Sequence, residues 1–246
     1  MSARPHSTIA EFPQSRTSTT CAACAAYDLS LCRTLSEAPL ALQYSEYTVP
    51  ARRILCRQHE LLDVVPVICR GWAASIVMLS DGSRQILSFL LPGDAVSTAL
   101  LFDARPYFMV EAITDVHYRG FKRSDVRTVL ARQPDLLDSF CRTWAQATAR
   151  ADQLIVDLGR RTADERIARL LLYLAERLAQ RGMTQRGTME MEFPLRQHHI
   201  ADATGLTPVH VSKVLSEFRR SGLIKISERS LTILDPERFQ RIGHMR

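Results

Sequence analysis

The stretch Arg196 to Arg220, RQHHIADATGLTPVHVSKVLSEFRR, decides how the chain folds. It reads as a short helix with Ile200 and Ala201 facing inward, a tight turn at Gly205, and a longer second helix. Thr207 has the side-chain oxygen an N-cap needs, and Pro208 suits the first helical position, where its missing N–H costs nothing. Stepping roughly 100° per residue from Val209 places Val211, Val214, Leu215 and Phe218 on one face. Val209, Ser212, Lys213, Ser216 and Arg220 fall on the other. One face is built to pack, and the opposite one to enter a groove.

Immediately downstream, Gly222 closes the second helix, and Leu223 to Leu234 (LIKISERSLTIL) reads as two short strands around Glu228-Arg229-Ser230. Two helices, a glycine turn and a strand pair make a winged helix-turn-helix. Residues 196–246 hold nine Lys or Arg against five Asp or Glu, a local excess that suits phosphate contacts. The partner predicted from these residues is double-stranded DNA. Its candidate contacts are Gln197, Thr207, Val209, His210, Ser212, Lys213, Ser216, Arg219 and Arg220. Ser212 and Lys213 are the expected base readers, whereas Arg219 and Arg220 supply phosphate attraction. His210 stands at the edge of the exposed face, where a phosphate contact or plain solvation competes with base reading.

Upstream, Thr162 and Glu165 form a capping box for a helix whose buried stripe is Ile167, Leu170, Leu171, Leu174 and Leu178, stopped by Gly182. Residues 183–194 read as a short hairpin with alternating Met189, Met191 and Phe193. Pro134 opens a longer helix expected to run to about Leu158 and to end at Gly159, after a short helical stretch from Ser124 to Arg132. Along it Leu137, Phe140, Trp144, Ala147, Ala151, Leu154 and Leu158 recur at spacings of three and four. That is the seam of a two-helix surface, and its length predicts a homodimer; packing on the chain's own β half is the alternative.

Before this helix the rhythm is different. From about Thr48 to Phe121, short apolar stretches break at Gly71, Asp81-Gly82 and Pro92-Gly93-Asp94, as in an antiparallel roll or sandwich. Asp81-Gly82 predicts a hairpin between Ala73–Leu79 and Arg84–Leu91, because that dipeptide tolerates the positive φ of a tight turn. Residues 1–20, rich in Ser, Thr and Pro, read as a disordered tail. The expected fold class is therefore α+β. A cysteine cluster and β-roll sensor occupy 21–133, a dimerisation helix 134–159, and a winged helix-turn-helix 160–246.

Composition sets the outer limits. With 246 residues, 46% hydrophobic and 24% charged, the chain is globular, not collagenous or disordered. No apolar run reaches the length of a membrane span, and the opening residues lack a signal-type apolar core, so a cytoplasmic location is expected. A glycine-rich phosphate loop, His-Glu-x-x-His and Gly-x-Ser-x-Gly are all missing, so the chain reads as a non-enzyme. Of six cysteines, three follow the spacing Cys21-x2-Cys24-x7-Cys32. In a reducing compartment such a trio suits a soft metal centre or a reversible thiol switch; it also allows no sensor chemistry at all.

The order of these parts resembles the Crp/Fnr family of transcription regulators, from roughly Leu35 onward. Gly71-Trp72, Asp81-Gly82-Ser83-Arg84-Gln85-Ile86-Leu87 and Leu91-Pro92-Gly93-Asp94 look like its roll turns, and Gln197-His198-His199-Ile200-Ala201 through Val211-Ser212-Lys213 like its DNA-binding segment. The resemblance implies a cyclic-nucleotide-binding-like roll, a homodimer on an inverted repeat, and RNA polymerase as a partner. At the groove-facing positions the family often carries Glu, Ser and Arg; here stand Val209, Ser212 and Lys213. Valine has no hydrogen-bonding atom but can meet a thymine methyl, and lysine lacks arginine's two-pronged contact to guanine.

For the sensor half, the resemblance points in two directions. Arg105 occupies the place of a phosphate-holding arginine, but Pro106, Tyr107 and Phe108 follow it, removing a backbone donor and adding bulk. A cyclic nucleotide effector is therefore not expected. The cysteine trio is similar to that of the oxygen-sensing iron-sulfur branch, which implies a cluster held by Cys21, Cys24 and Cys32. That branch takes a fourth cysteine from a roll strand; here the matching position is His117, with Cys56, Cys69 and Cys141 as alternatives.

Overall fold

A computed structural model describes residues 42–102, 105–184 and 189–244. Its first half is an antiparallel roll of two sheets. Strands β1 (Tyr44–Val49), β2 (Ile54–Cys56), β3 (Val64–Arg70), β4 (Ala73–Met78) and β5 (Arg84–Leu90) come first. A 3-10 turn at Thr98–Leu101 precedes β6 (Met109–Ala112) and β7 (Val116–Lys122). One sheet has the order β1-β7-β3, the other β2-β6-β4-β5.

The expected hairpin is present: β4 pairs with β5 from Ala73 opposite Leu90 to Met78 opposite Arg84. Asp81 braces its turn by accepting from the Ser83 backbone N–H at 2.9 Å and the Ser83 hydroxyl at 2.6 Å. Gly71, at φ +88°, is required outright, since a Cβ there would stand 2.1 Å from the Asp115 carbonyl oxygen.

Helix α1 (Arg123–Arg132) closes the roll with Val126 and Leu130. Helix α2 (Pro134–Arg160) follows, 27 residues and therefore about 40 Å long. Two expectations about it need correction. The helix does not stop at Gly159, which is exposed and helical; it ends at Arg161, whose backbone turns extended at ψ 151°. Phe140, expected in the partner-facing seam, is 1% exposed and sits in the roll's own core with Val65, Val67, Leu101, Phe121 and Leu130. A three-and-four spacing finds the apolar side of a helix but not which body covers each residue.

Helix α3 (Ala163–Gln180) starts at the expected capping box: the Thr162 N–H donates to Glu165 Oε2 at 3.0 Å and the Glu165 N–H to Thr162 Oγ1 at 3.4 Å. Ile167, Leu171, Leu174 and Leu178 are buried and Leu170 half-buried. The short strand β8 (Glu190–Glu192) follows, then α4 (Gln197–Thr204), α5 (Pro208–Arg220), β9 (Ile224–Ser227), β10 (Ser230–Ile233) and α6 (Pro236–His244). Of the hairpin expected at 183–194, the described residues show an antiparallel bridge between Thr184 and Met191; β8 also pairs with β10, giving a wing sheet β8-β10-β9.

Helix α6 was not anticipated. Asp235 caps it by accepting the Arg238 N–H at 3.0 Å, and Phe239, wholly buried, meets Phe218 edge-on with ring centres 5.2 Å apart. One contiguous core joins Trp72, Ile86, Phe89 and Leu91 of the roll to Leu171, Leu174, Leu178, Ile200 and Phe218 of the helical half.

Candidate nucleic-acid interface

The helix-turn-helix is fixed by short-range chemistry. At the start of α4 the Arg196 N–H donates to His199 Nδ1 at 3.0 Å, a contact that needs an unprotonated ring nitrogen. His199 is 8% exposed; burial, helped by the positive charges of His198, Arg84 and Arg196, pushes its pKa down to about 4. Gly205 ends α4 at φ +66°, the left-handed conformation of a helix C-terminus. Across the turn, Thr207 Oγ1 accepts the His210 N–H at 3.2 Å, and Pro208 opens α5. Arg166 of α3 donates to the Thr204 carbonyl at 3.1 Å, tying the end of α4 to the helix beneath it.

Helix α5 is two-faced. Val211, Val214, Leu215 and Phe218 are buried. Val209 is 81% exposed, and Thr207, His210, Lys213, Ser216, Arg219 and Arg220 are exposed with it, while Ser212 is half-buried between the faces. Gln197 is exposed on the first turn of α4. Arg219 donates to Ser216 Oγ at 3.0 Å and Arg220 pairs with Glu217, so the basic end of the helix carries partial internal neutralisation.

The outer face of α2 is apolar and exposed among the described residues. Leu137 is 43% exposed and Trp144 53%, and Ala147 and Ala151 are exposed, while Leu154 and Leu158 are half-buried. Ile155, at 69%, and Val156 add apolar surface that the sequence reading did not include. Phe102 leans over this face, its ring centre 6.5 Å from that of Trp144.

On the sensor side, Cys21, Cys24 and Cys32 lie outside the described residues. His117 lies exposed on β7, its Nδ1 3.0 Å from Thr48 Oγ1 on β1. Of the alternatives, Cys56 is buried, which pushes its thiol up to about 12 and makes it a poor ligand. Cys69 is half-buried with Sγ 3.7 Å from the Val67 carbonyl oxygen, and Cys141 is exposed on α2. No group of three or more potential metal ligands occurs among the described residues. Arg105 donates to the His59 carbonyl at 3.2 Å, and Phe108 beside it is buried with Leu100 and Val96.

Comparison with known proteins agrees with this architecture. Residues 165–242 match the model of a Crp-like helix-turn-helix domain and residues 47–133 that of a cyclic nucleotide-binding domain. The chain is 32% identical over 211 residues to the nitrogen fixation regulation protein FixK of Rhizobium meliloti, covering 85% of this chain and 92% of that one. The chain belongs to the Crp/Fnr family of transcription regulators. Within that family it is also 29% identical over 228 residues to the transcriptional activatory protein AadR of Rhodopseudomonas palustris, covering 89% and 91% of the two chains. The solved structure of FixK2 from Bradyrhizobium japonicum superposes with a TM-score of 0.74 at 27% identity, over 82% of this chain and 98% of that one.

As a Crp/Fnr regulator the chain is a DNA-binding protein, and the winged helix-turn-helix is its DNA-binding unit. Sequence reasoning missed the polar contacts between this unit and the roll, of which one set lies at the corner of the helix-turn-helix. Arg84 of β5 pairs with Glu111 at 2.9 Å and with Asp202 of α4 at 3.5 Å, and Gln85 donates to the Ala203 carbonyl at 3.5 Å. Burial pushes the Asp202 carboxyl up, with Arg84 opposing the shift. Nothing local in the sequence pairs residues more than a hundred positions apart.

Proposed function

We propose that this regulator binds inverted-repeat DNA as a homodimer through α2 and answers to oxygen or redox state through Cys21, Cys24 and Cys32. The observation that carries the DNA reading is Val209, 81% exposed on a helix whose opposite face is buried: an apolar side chain in that position suits a thymine methyl in the major groove. Around it Ser212 and Lys213 read base edges, Gln197, Thr207, His210 and Ser216 flank them, and Arg219 and Arg220 attract phosphates. The dimer reading rests on the exposed face of Leu137, Trp144, Ala147, Ala151 and Ile155, which no element of the chain covers among the described residues. RNA polymerase is the expected partner at the promoter, and the cytoplasm the expected location.

For the sensor, the donor set is three thiols and one imidazole. Thr48 Oγ1 against Nδ1 orients the His117 ring, as the partner of a ligating imidazole does, and leaves Nε2 to face a ligand. An iron-sulfur cluster there would supply oxygen-labile redox chemistry. A thiol switch within the trio, which needs no ligand from the roll, is the second reading.

Protein prepared without oxygen, assayed for iron, acid-labile sulfide and DNA affinity, tests both. Iron and sulfide lost in Cys24→Ser support the cluster. A peroxide-responsive, reductant-reversible affinity without iron supports the thiol switch. Iron-free protein whose affinity is the same with or without oxidant, in wild type and Cys24→Ser alike, overturns both.

A further inference from the structure

The strongest unassigned feature is a pair of buried arginines. Arg177 on α3 and Arg181, the residue that caps that helix, are 5% and 7% exposed. Both reach into a single turn of the roll. Arg177 donates to the Phe89 carbonyl at 2.7 Å and pairs with Asp94 Oδ2; Arg181 donates to the Pro92 carbonyl at 2.8 Å and to Asp94 Oδ1 at 2.7 Å. Arg181 also donates to the Arg177 backbone carbonyl at 2.8 Å, so its side chain is anchored to α3 as well as to the roll. Every roll acceptor lies within residues 89–94.

That socket is rigid. Asp94 Oδ2 also accepts the Leu91 N–H at 2.7 Å, the Gly93 N–H donates to the Ile68 carbonyl at 2.8 Å, and the Ile68 N–H donates to the Asp94 carbonyl at 2.9 Å. The turn is thereby welded to β3. The apolar core shared by the two halves attracts without direction, whereas forked guanidinium contacts specify both distance and angle. Helices α4, α5 and α6 all pack on α3, so whatever fixes α3 on the roll also fixes α5.

The geometry points to Asp94, Arg177 and Arg181 as positioning residues for DNA recognition, which set the separation of the two α5 helices in the dimer and hence the half-site spacing the protein selects. This rests on the dimer reading above. A buried ion pair is weak evidence of added stability, but a partner lost from this one leaves an arginine charge unpaired in a dry site, and the roll contact must rearrange.

The test uses the full chain. A half-site selected by wild type from random duplex DNA is built into inverted repeats whose spacers differ by single base pairs, and also into duplexes carrying one half-site. Wild type is expected to prefer one spacing by about tenfold or more over its neighbours. Asp94→Asn should bind neighbouring spacings nearly alike, with its affinity for the single half-site within about twofold of wild type. If Asp94→Asn does not fold, the double variant Arg177→Lys with Arg181→Lys, which keeps the charges and loses the forks, gives the answer.

A variant that keeps the wild-type spacing preference overturns the proposal. So does one that loses affinity for all spacings and the single half-site in equal proportion, which marks a structural role alone. A wild type without any spacing preference overturns the dimer reading, and this proposal with it.

Discussion

Leu158 Cδ2 lies 3.3 Å from the point where a Cβ on Gly205 would stand, so the last turns of the long helix rest against the corner of the helix-turn-helix. Gly205 is therefore doubly constrained, by its positive φ and by this contact. Gly205→Ala should cost about 1–2 kcal/mol from backbone conformation alone, with a further push on Leu158. Thermal denaturation should show the loss, and specific DNA affinity should fall with it. A stability equal to wild type would mean the corner relaxes without cost.

Two aromatic residues four apart on α2 should behave oppositely. Phe140→Ala removes a core side chain and should destabilise the folded chain by about 3–5 kcal/mol. Trp144→Asp places a charge on an exposed face and should leave the folded protomer intact while splitting the dimer. Sedimentation velocity beside thermal melts separates the two; a Trp144→Asp protein that stays dimeric removes this face from the interface.

On the exposed face of α5, Lys213→Ala should flatten the preference at one base pair by about 1–3 kcal/mol. Arg219→Ala should weaken all sequences alike and lower the salt slope by about one. Val209→Ala should reduce discrimination between thymine and uracil at one position. Binding titrations over single-base variants at several salt concentrations check all three, and uniform losses in every variant would show that α5 sits in the groove in another rotation.

His199 gives the DNA-binding half a directional response to acid. Its pKa is about 4 in the fold against an ordinary 6.5, so between those values the unfolded chain binds more protons than the folded one. Stability should fall as pH drops through that window, since protonating Nδ1 also breaks the Arg196 contact, and should show no further dependence on this group below about 4. Melting His199→Gln alongside wild type from about pH 7 to about pH 4 isolates the effect. Parallel curves would place the acid sensitivity elsewhere.

What was legible in the sequence was local. The Asp81-Gly82 hairpin, the Thr162–Glu165 capping box, the Gly205 turn and the faces of α5 all depend on residues a few positions apart, and each is present. What was not legible was long-range. Met191 alternates as a strand residue should and bridges Thr184 nearby, yet its ladder partner is Leu231, forty residues on. Phe140 and Trp144 share a periodicity and differ in what covers them. Arg177 reads as an interruption of an apolar helix, and only the fold supplies the carboxylate that makes its burial tolerable. Asp235-Pro236, by contrast, is a local helix start, with the Asp235 carboxylate accepting the Arg238 N–H.

The single core running from Trp72 to Phe218 has a consequence for how the molecule comes apart. Trp72, Phe89 and Leu91 share that core with the helical half, so neither half should unfold without wetting the other. Calorimetry should give one transition whose van't Hoff and calorimetric enthalpies agree, in place of separate sensor and reader transitions. A fragment cut at the end of α2 would carry a raw apolar face and should aggregate. The two halves are distinct in architecture but should melt as one cooperative unit.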